Sequence, residues 1–272
     1  WRSGPHADVA TRRRSGAEGA ASPAPIGYHG SMWEIVRAGG PMMWPMDQAA
    51  AVLKAWQEFI LTAPDEINGW FGFVTVPPVA PFPNEYQLQE MCAVVWCYSG
   101  PLEKGAEALK PIREALKPAI DFVGPIPFPA LQGMFDGLFP AGLQWYWRAD
   151  FFERYDDETV ALHVKYGSHL PTMLSTMHIY PINGAAGRVG EADTAFAFRD
   201  ANFAQVIVGV DPDPANNDRM IEWSKDYWLA LHPYSAGGGY VNMIMAEGEE
   251  RVRQLIEEIE LADEVGLDVF GL

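Results

Sequence analysis

The order of apolar segments along the chain constrains its fold more than any other feature. Strand-like runs at 67–76 and 91–99 flank a proline-rich loop, and a helical pattern follows at 101–116. Further strand patterns at 170–182, 192–200 and 201–212 precede a helical pattern at 217–232. Proline-rich loops cannot join a sheet interior. This order predicts an α+β fold, in which an antiparallel or mixed sheet has helices packed on one face.

Composition divides the chain into three parts. Residues 1–38 are rich in Arg, Gly, Ala, Ser and Pro and show neither helical nor strand periodicity, which predicts a disordered or non-native N-terminal arm. Residues 39–250 carry the periodic patterns and are interpreted as one substrate-binding domain. Residues 251–272 form a helix pattern that leads to a short apolar strand, VFGL.

Charge and cysteine usage exclude several classes of function. The 272 residues carry a net charge of −17, which disfavours binding to nucleic acid or to anionic membranes. No apolar run reaches the roughly 18 residues of a membrane span, and no signal peptide is evident, so we expect a cytoplasmic protein. Cys92 and Cys97 are five apart and would point to opposite faces of one strand. His163 and His169 are six apart, unlike a helical metal pair, so no metal site is expected.

Alternation in the run LPTMLSTMHIYPI places an imidazole and a phenol side by side. On a strand, Leu174, Thr176, His178 and Tyr180 fall on one face, and the other face is apolar apart from one serine. The pair suits contact with a substrate, although a lone histidine there is also compatible with a structural role. Upstream, the aromatic cluster 145–147 lies in an irregular, proline-rich region that could either line a pocket or pack into the core.

The stretch from Trp223 to Asn242 holds the other candidate residues. An aromatic-rich helix is followed by three glycines and then by Tyr240 and Asn242, which are two residues apart. On a strand these two side chains face the same side, and the glycines allow a close approach of backbone or of a flat ligand. A flexible turn followed by a core strand is the alternative interpretation.

Several segments, in order, resemble one family of enzymes. The segments LPTMLSTMHIYPINGAAGRVG, TAFAFRDANFAQVIVGVDPDP and DYWLALHPYSAGGGYVN resemble the substrate-side half of berberine bridge enzyme-like FAD-linked oxidoreductases. The resemblance implies hydride transfer from an alcohol, sugar or amine carbon to FAD, with a sheet placed over the flavin ring. It also implies site residues: Tyr240 as catalytic base; Gly238, Gly239, Tyr240 and Asn242 at the cofactor; and His178, Tyr180, Trp147 and Arg199 in the substrate pocket.

The sequence also departs from the family pattern. No glycine-rich phosphate loop and no histidine for flavin attachment are recognised before residue 39, so we expect the flavin domain to be missing and FAD binding to be negligible. The tail resembles the start of a luciferase-like flavin monooxygenase. Two alternatives to an oxidoreductase therefore stay open: a non-catalytic module that binds a small ligand, and an inactive, truncated gene product. The surface that a flavin domain would cover is expected to favour self-association.

Overall fold

A computed structural model describes residues 36–190, 193–194, 196, 198–237, 243 and 245. The first strand begins at Val36, three residues before the predicted domain boundary. The rest of the predicted N-terminal arm and the predicted tail at 251–272 lie outside the described residues. Among the described residues, no helix combines the length and the apolar character needed to cross a membrane.

Eight strands and seven α-helices make up the described part of the chain. The strands are β1 (Val36–Pro45), β2 (Ile67–Thr75), β3 (Glu90–Tyr98), β4 (Ile120–Asp121), β5 (Gly124–Pro127), β6 (Gln144–Phe152), β7 (Thr176–Pro181) and β8 (Phe203–Asp211). The helices are α1 (Ala49–Thr62), α2 (Gly105–Ala108), α3 (Lys110–Ala115), α4 (Phe128–Gln132), α5 (Asp157–Gly167), α6 (Gly184–Gly187) and α7 (Asn217–Leu231). Short 3-10 helices, such as Gly133–Leu138 and His232–Tyr234, join some of them.

The strands form a single antiparallel sheet in the order β4-β1-β3-β2-β7-β8-β6, with β5 also paired to β1. The described pairings between strands are all antiparallel. Strand β6 therefore forms one edge, and β8 lies between it and β7. The predicted α+β fold, with a sheet and helices on one face, is confirmed.

The main core lies between one face of this sheet and the long helices α1, α5 and α7. Trp56 of α1 is fully buried, with its ring 5.8 Å from Phe71 and 5.4 Å from Phe203. Its indole N–H donates to the carbonyl of Gly69 at 2.9 Å. Buried aromatic groups of this kind dominate core energetics, and their polar atoms need partners. The long helices therefore cover this side of the sheet.

Capping and close packing set the position of α5 and α7. The Asp156 carboxylate accepts a hydrogen bond from the Thr159 backbone N–H at 2.9 Å, which caps α5 as its acidic start predicts. A Cβ placed at Gly209 of β8 would lie 2.8 Å from the Cβ of Met220 in α7. The glycine therefore lets α7 approach the sheet closely.

The cysteine interpretation is confirmed. Cys92 is buried on the helix side of β3, Cys97 is half-buried on the other side, and both thiols are free. Burial raises the pKa of the Cys92 thiol to about 12, so it packs as a small apolar group.

Three local predictions were wrong. The predicted helix at 101–116 is broken at Leu109, before Pro111, because proline lacks the backbone N–H. Residues 144–152, predicted to be irregular, form β6. Of the predicted strand at 192–200, the described residues 193–194, 196 and 198–200 are not in a strand.

The contact between β8 and α7 predicts the effect of a single added methyl group. Gly209→Ala should lower the free energy of unfolding by about 1–3 kcal/mol, because the Cβ forces α7 away from the sheet. Urea denaturation measures the change. Gly124→Ala is the matched control, since a Cβ there meets nothing within 4 Å, and it should alter stability by no more than about 0.5 kcal/mol. Equal effects of the two substitutions would contradict this packing.

Candidate active site

A cavity of about 300 Å³ lies against the sheet face that the long helices leave uncovered. Strands β6, β7 and β8 form its floor. Segments outside the sheet add the remaining walls. Its lining consists of Phe139, Trp145, Trp147, Thr176, His178, Tyr180, Val206, Val208 and Met243.

Strand alternation explains why these side chains meet. His178 pairs with Val206 across β7 and β8, and Thr176 pairs with Val208. On the other side of β8, Trp147 pairs with Val208. Opposite residues in an antiparallel pair point to the same face. The residues between them, such as Met177 and Ile207, point into the helix-side core.

The two tryptophans of β6 make an aromatic wall. The rings of Trp145 and Trp147 have centroids 5.7 Å apart, and Phe139 lies 5.4 Å from Trp145. Both tryptophans pack against the valines of β8 in a small cluster separate from the main core. Such a wall offers a flat apolar surface to an aromatic or otherwise apolar ligand.

The opposite end of the cavity is polar and uncharged. His178 Nδ1 lies 2.7 Å from the Tyr180 hydroxyl, within hydrogen-bond distance. Burial lowers the pKa of His178 to about 4 and raises the pKa of Tyr180 to about 12. At neutral pH the imidazole and the phenol are therefore both uncharged.

Trp70 and Gly72 of β2 hold the imidazole in place. The Trp70 and His178 rings have centroids 4.3 Å apart. A Cβ at Gly72 would lie 3.0 Å from the Trp70 ring, 3.2 Å from the His178 ring and 2.6 Å from the carbonyl oxygen of Met177. Only glycine leaves room for this close, tilted packing of the two rings. The remaining polar lining residue, Thr176, donates its hydroxyl to the carbonyl of Phe73 at 2.7 Å.

Three of the four residues predicted for the substrate pocket come together. Trp147, His178 and Tyr180 all line the cavity, while Arg199 does not. The Arg199 guanidinium donates to the carbonyl oxygens of Phe196 and Ala186 at 3.0 and 2.8 Å, and to the Thr194 hydroxyl at 2.6 Å. It braces the loop before β8 and does not line this cavity.

The residues predicted at the catalytic base and the cofactor, Gly238, Gly239, Tyr240 and Asn242, lie outside the described residues. Of the described residues on either side of this stretch, Gly237 does not line the cavity. Met243 lines it, and the sulfur of Met245 accepts a hydrogen bond from the Trp147 backbone N–H at 3.2 Å.

Sequence reasoning missed part of the lining. Phe139, Val206, Val208 and Met243 were not singled out, and Trp70 behind His178 was not either. Reading residues 144–152 as a strand would have placed Trp145 and Trp147 on one face. The valines depend on the pairing of β8 with both neighbours, which the sequence does not give directly.

The lining suits part of a flavin. The aromatic and aliphatic walls fit a flat ring system, and the neutral His178–Tyr180 pair offers it one polar neighbour. The described lining holds no lysine, arginine or glycine-rich loop for a diphosphate. The residues therefore fit the ring of FAD or a substrate, and they do not fit its phosphates.

A second cavity of about 450 Å³ lies beside α1 and α5 and differs in character. Charges of both signs line it, and Lys54 pairs with Asp157 at 2.6 Å. No group of acidic, histidine or cysteine side chains that could hold a metal occurs in the described part of the chain. None of the described candidate residues lines this second cavity.

Fold and cavity together define an α+β domain with an aromatic-lined cavity on the face of an antiparallel sheet opposite its long helices. No family model matches the chain. An FAD-linked oxidoreductase of Dictyostelium discoideum is 23% identical over 150 residues, which are 54% of this chain and 33% of that protein. YgaK of Bacillus subtilis (strain 168), an uncharacterised FAD-linked oxidoreductase, is 25% identical over 203 residues, 73% of this chain and 42% of that protein.

Solved structures share the fold. Berberine bridge enzyme-like #28 of Arabidopsis thaliana superposes with a TM-score of 0.65 at 15% identity, over 78% of this chain and 46% of that one. Berberine bridge enzyme of Eschscholzia californica gives 0.63 at 11% identity, over 84% and 48%. The resemblance to berberine bridge enzyme-like FAD-linked oxidoreductases is therefore confirmed. The chain spans less than half the length of each of these four proteins.

The half-buried, uncharged imidazole of His178 predicts a specific pH dependence of stability. The pKa of His178 is about 4 in the folded chain and about 6.5 in an unfolded one. Between these values the unfolded chain binds more protons, so the free energy of unfolding falls as pH falls. From pH 7 to 5 this histidine should contribute a loss of about 1–2 kcal/mol.

Urea denaturation of His178→Gln at pH 7 and pH 5 measures that contribution. The variant should lose less stability than the unmodified chain over this interval. His169→Gln, at an exposed position, is the control and should keep the original pH dependence. If all three proteins lost the same free energy of unfolding between pH 7 and pH 5, His178 would not be held in its neutral form by the fold.

Proposed function

We propose that the domain at residues 39–250 is the substrate side of an FAD-dependent oxidoreductase. It oxidises an alcohol, sugar or amine carbon, and FAD is held chiefly by a domain outside these 272 residues. The observation that carries the proposal is the aromatic-lined cavity on the sheet face opposite the long helices, in a fold shared with berberine bridge enzyme-like proteins. The FAD-linked relatives support the cofactor.

Related structures support the kind of reaction. One neighbour with a TM-score of 0.63, the grass pollen allergen Phl p 4, is described as having glucose dehydrogenase activity. It is 12% identical to this chain. That activity belongs to Phl p 4, and a comparable oxidation is proposed for this chain.

The chemistry divides between the cofactor and the protein. Bound FAD supplies a two-electron acceptor for the hydride that leaves the substrate carbon. For an alcohol, the hydroxyl loses its proton as the carbon–oxygen bond becomes a carbonyl. The protein must therefore hold the substrate carbon towards the ring and accept one proton. Binding energy from the apolar walls serves this positioning.

Tyr240 is the proposed base. It lies three residues before Met243, which lines the cavity. A phenol with a pKa near 10 is a poor base at neutral pH, so a neighbouring group must lower that value before Tyr240 acts. Asn242 and the glycines Gly238 and Gly239 are proposed to contact the flavin ring. Trp147, His178 and Tyr180 would orient the substrate.

Anaerobic reduction of flavin tests the proposal. The chain is combined with a separately produced FAD-binding domain of a berberine bridge enzyme-like relative and with a panel of alcohols, sugars and amines. We expect substrate-dependent loss of the visible flavin absorbance only when both proteins are present. Tyr240→Phe should slow reduction about 10²- to 10⁴-fold, as expected for loss of a general base.

Tyr234→Phe is the matched control, because this phenol is exposed and does not line the cavity. It should leave the rate unchanged. Failure of every substrate to reduce the flavin would contradict an oxidoreductase and favour a non-catalytic binding module. If the chain purified by itself carried stoichiometric FAD, the proposal that another domain chiefly holds FAD would be contradicted.

A further inference from the structure

The lining of the cavity separates into a long apolar part and one small polar end. Trp145, Trp147, Phe139, Val206 and Val208 provide the apolar part. The polar end belongs to β7 and consists of His178 and Tyr180. The cavity, at about 300 Å³, is at the small end of the ~300–1,000 Å³ range of ligand sites.

No formal charge occurs in the described lining of this cavity, which holds no acidic side chain, no lysine and no arginine. In the sequence around the lining residue Met243, residues 233–246 also contain no Asp, Glu, Lys, Arg or His. An ammonium or a carboxylate that enters would lose its hydration without gaining an opposite charge. The site therefore discriminates against ions.

The hydrogen-bonding capacity of the polar end is limited. If His178 Nδ1 accepts from Tyr180, the Nε2–H remains as a donor and the phenol oxygen as an acceptor. If Nδ1–H donates, the phenol O–H remains as a donor and Nε2 as an acceptor. In both tautomers the pair offers one donor and one acceptor. That capacity matches a single hydroxyl group.

A polyhydroxylated ligand would not be satisfied. Thr176 already donates its hydroxyl to the carbonyl of Phe73. Beyond the His178–Tyr180 pair, the side chains of the described lining offer a ligand the indole N–H groups of Trp145 and Trp147 as donors and the Thr176 oxygen as an acceptor. The several hydroxyls of a sugar would exceed these partners, and buried unpaired polar groups are costly.

We propose that the substrate is an uncharged, largely apolar alcohol with a single hydroxyl group, whose flat body lies on Trp145 and Trp147 and whose hydroxyl is bound by His178 and Tyr180. The proposal rests on the proposed function and narrows its substrate class, excluding sugars and cationic amines. In the reaction, the carbon that bears the hydroxyl would lose a hydride to the flavin. The hydroxyl proton would pass to the proposed base, Tyr240, leaving an aldehyde or ketone.

Binding of three matched probes to the full 272-residue chain tests the proposal without flavin. The probes are naphthalen-2-ylmethanol, naphthalen-2-ylmethylammonium and 2-naphthoate, with glucose as a fourth ligand, measured at pH 7 by ligand-detected NMR. The three probes share one ring system and differ in the charge of the polar group. We expect the alcohol to bind at least ten-fold more tightly than each of the other three ligands.

Two substitutions connect the binding to this cavity. Trp147→Ala should weaken binding of the alcohol at least ten-fold, while Phe122→Ala, an exposed aromatic outside the lining, should not. Trp145→Glu adds a carboxylate at the edge strand. It should reverse the order of affinities, so that the ammonium probe binds more tightly than the alcohol. This reversal is a gain of binding that an unfolded variant cannot produce.

The outcomes separate this inference from the proposed function. Equal or tighter binding of glucose or of the ammonium probe would overturn the substrate class, and flavin reduction by those compounds would still support an oxidoreductase. Binding of none of the four ligands would also overturn the substrate class. Preferred binding of the alcohol without any flavin reduction would support the inference and contradict the proposed reaction.

Discussion

The antiparallel register of β6, β7 and β8 is the constraint on which the rest of this structure depends. Because side chains alternate between faces, a shift by one residue would exchange the two faces of every strand. In the observed register, Met177, Ile207 and Phe203 lie under the helices with Trp56. The same register places Trp147, His178 and Val208 on the opposite face. The cavity is thus a consequence of how the core is packed.

The strands with simple alternation could be predicted from the sequence, and β6 could not. Arg148 and Asp150 lie on the side of β6 that faces the helices. The sequence of β6 therefore lacks the alternation of apolar and polar residues that identifies a half-buried strand. The structure accommodates these two side chains locally. Arg148 Nε donates to the Tyr146 hydroxyl at 3.0 Å, and the Asp150 carboxylate pairs with His232 at 2.9 Å. The partner of Asp150 follows α7 and is 82 residues away in the sequence.

The opposite error, a predicted strand that does not form, concerns the segment before β8. The segment ADTAFAFRD alternates like a strand, yet Phe198 stacks on Phe151 with centroids 4.5 Å apart. Arg199 binds the backbone carbonyls of the same loop. A side chain that satisfies loop carbonyls competes with strand pairing, and local periodicity cannot reveal that competition. The family resemblance predicted Arg199 in the substrate pocket. In the structure its guanidinium binds backbone carbonyls, and it does not line the cavity.

The central claim is that ligands bind on the face of the sheet opposite the long helices. Fluorine NMR of the chain labelled with 5-fluorotryptophan, titrated with an apolar aromatic ligand, tests it most directly, with single Trp→Phe variants for assignment. The account predicts that the resonances of Trp145 and Trp147 shift, while those of Trp44 and Trp56 in the helix-side core do not. Shifts confined to the helix-side tryptophans, or no shifts at saturating ligand, would contradict it.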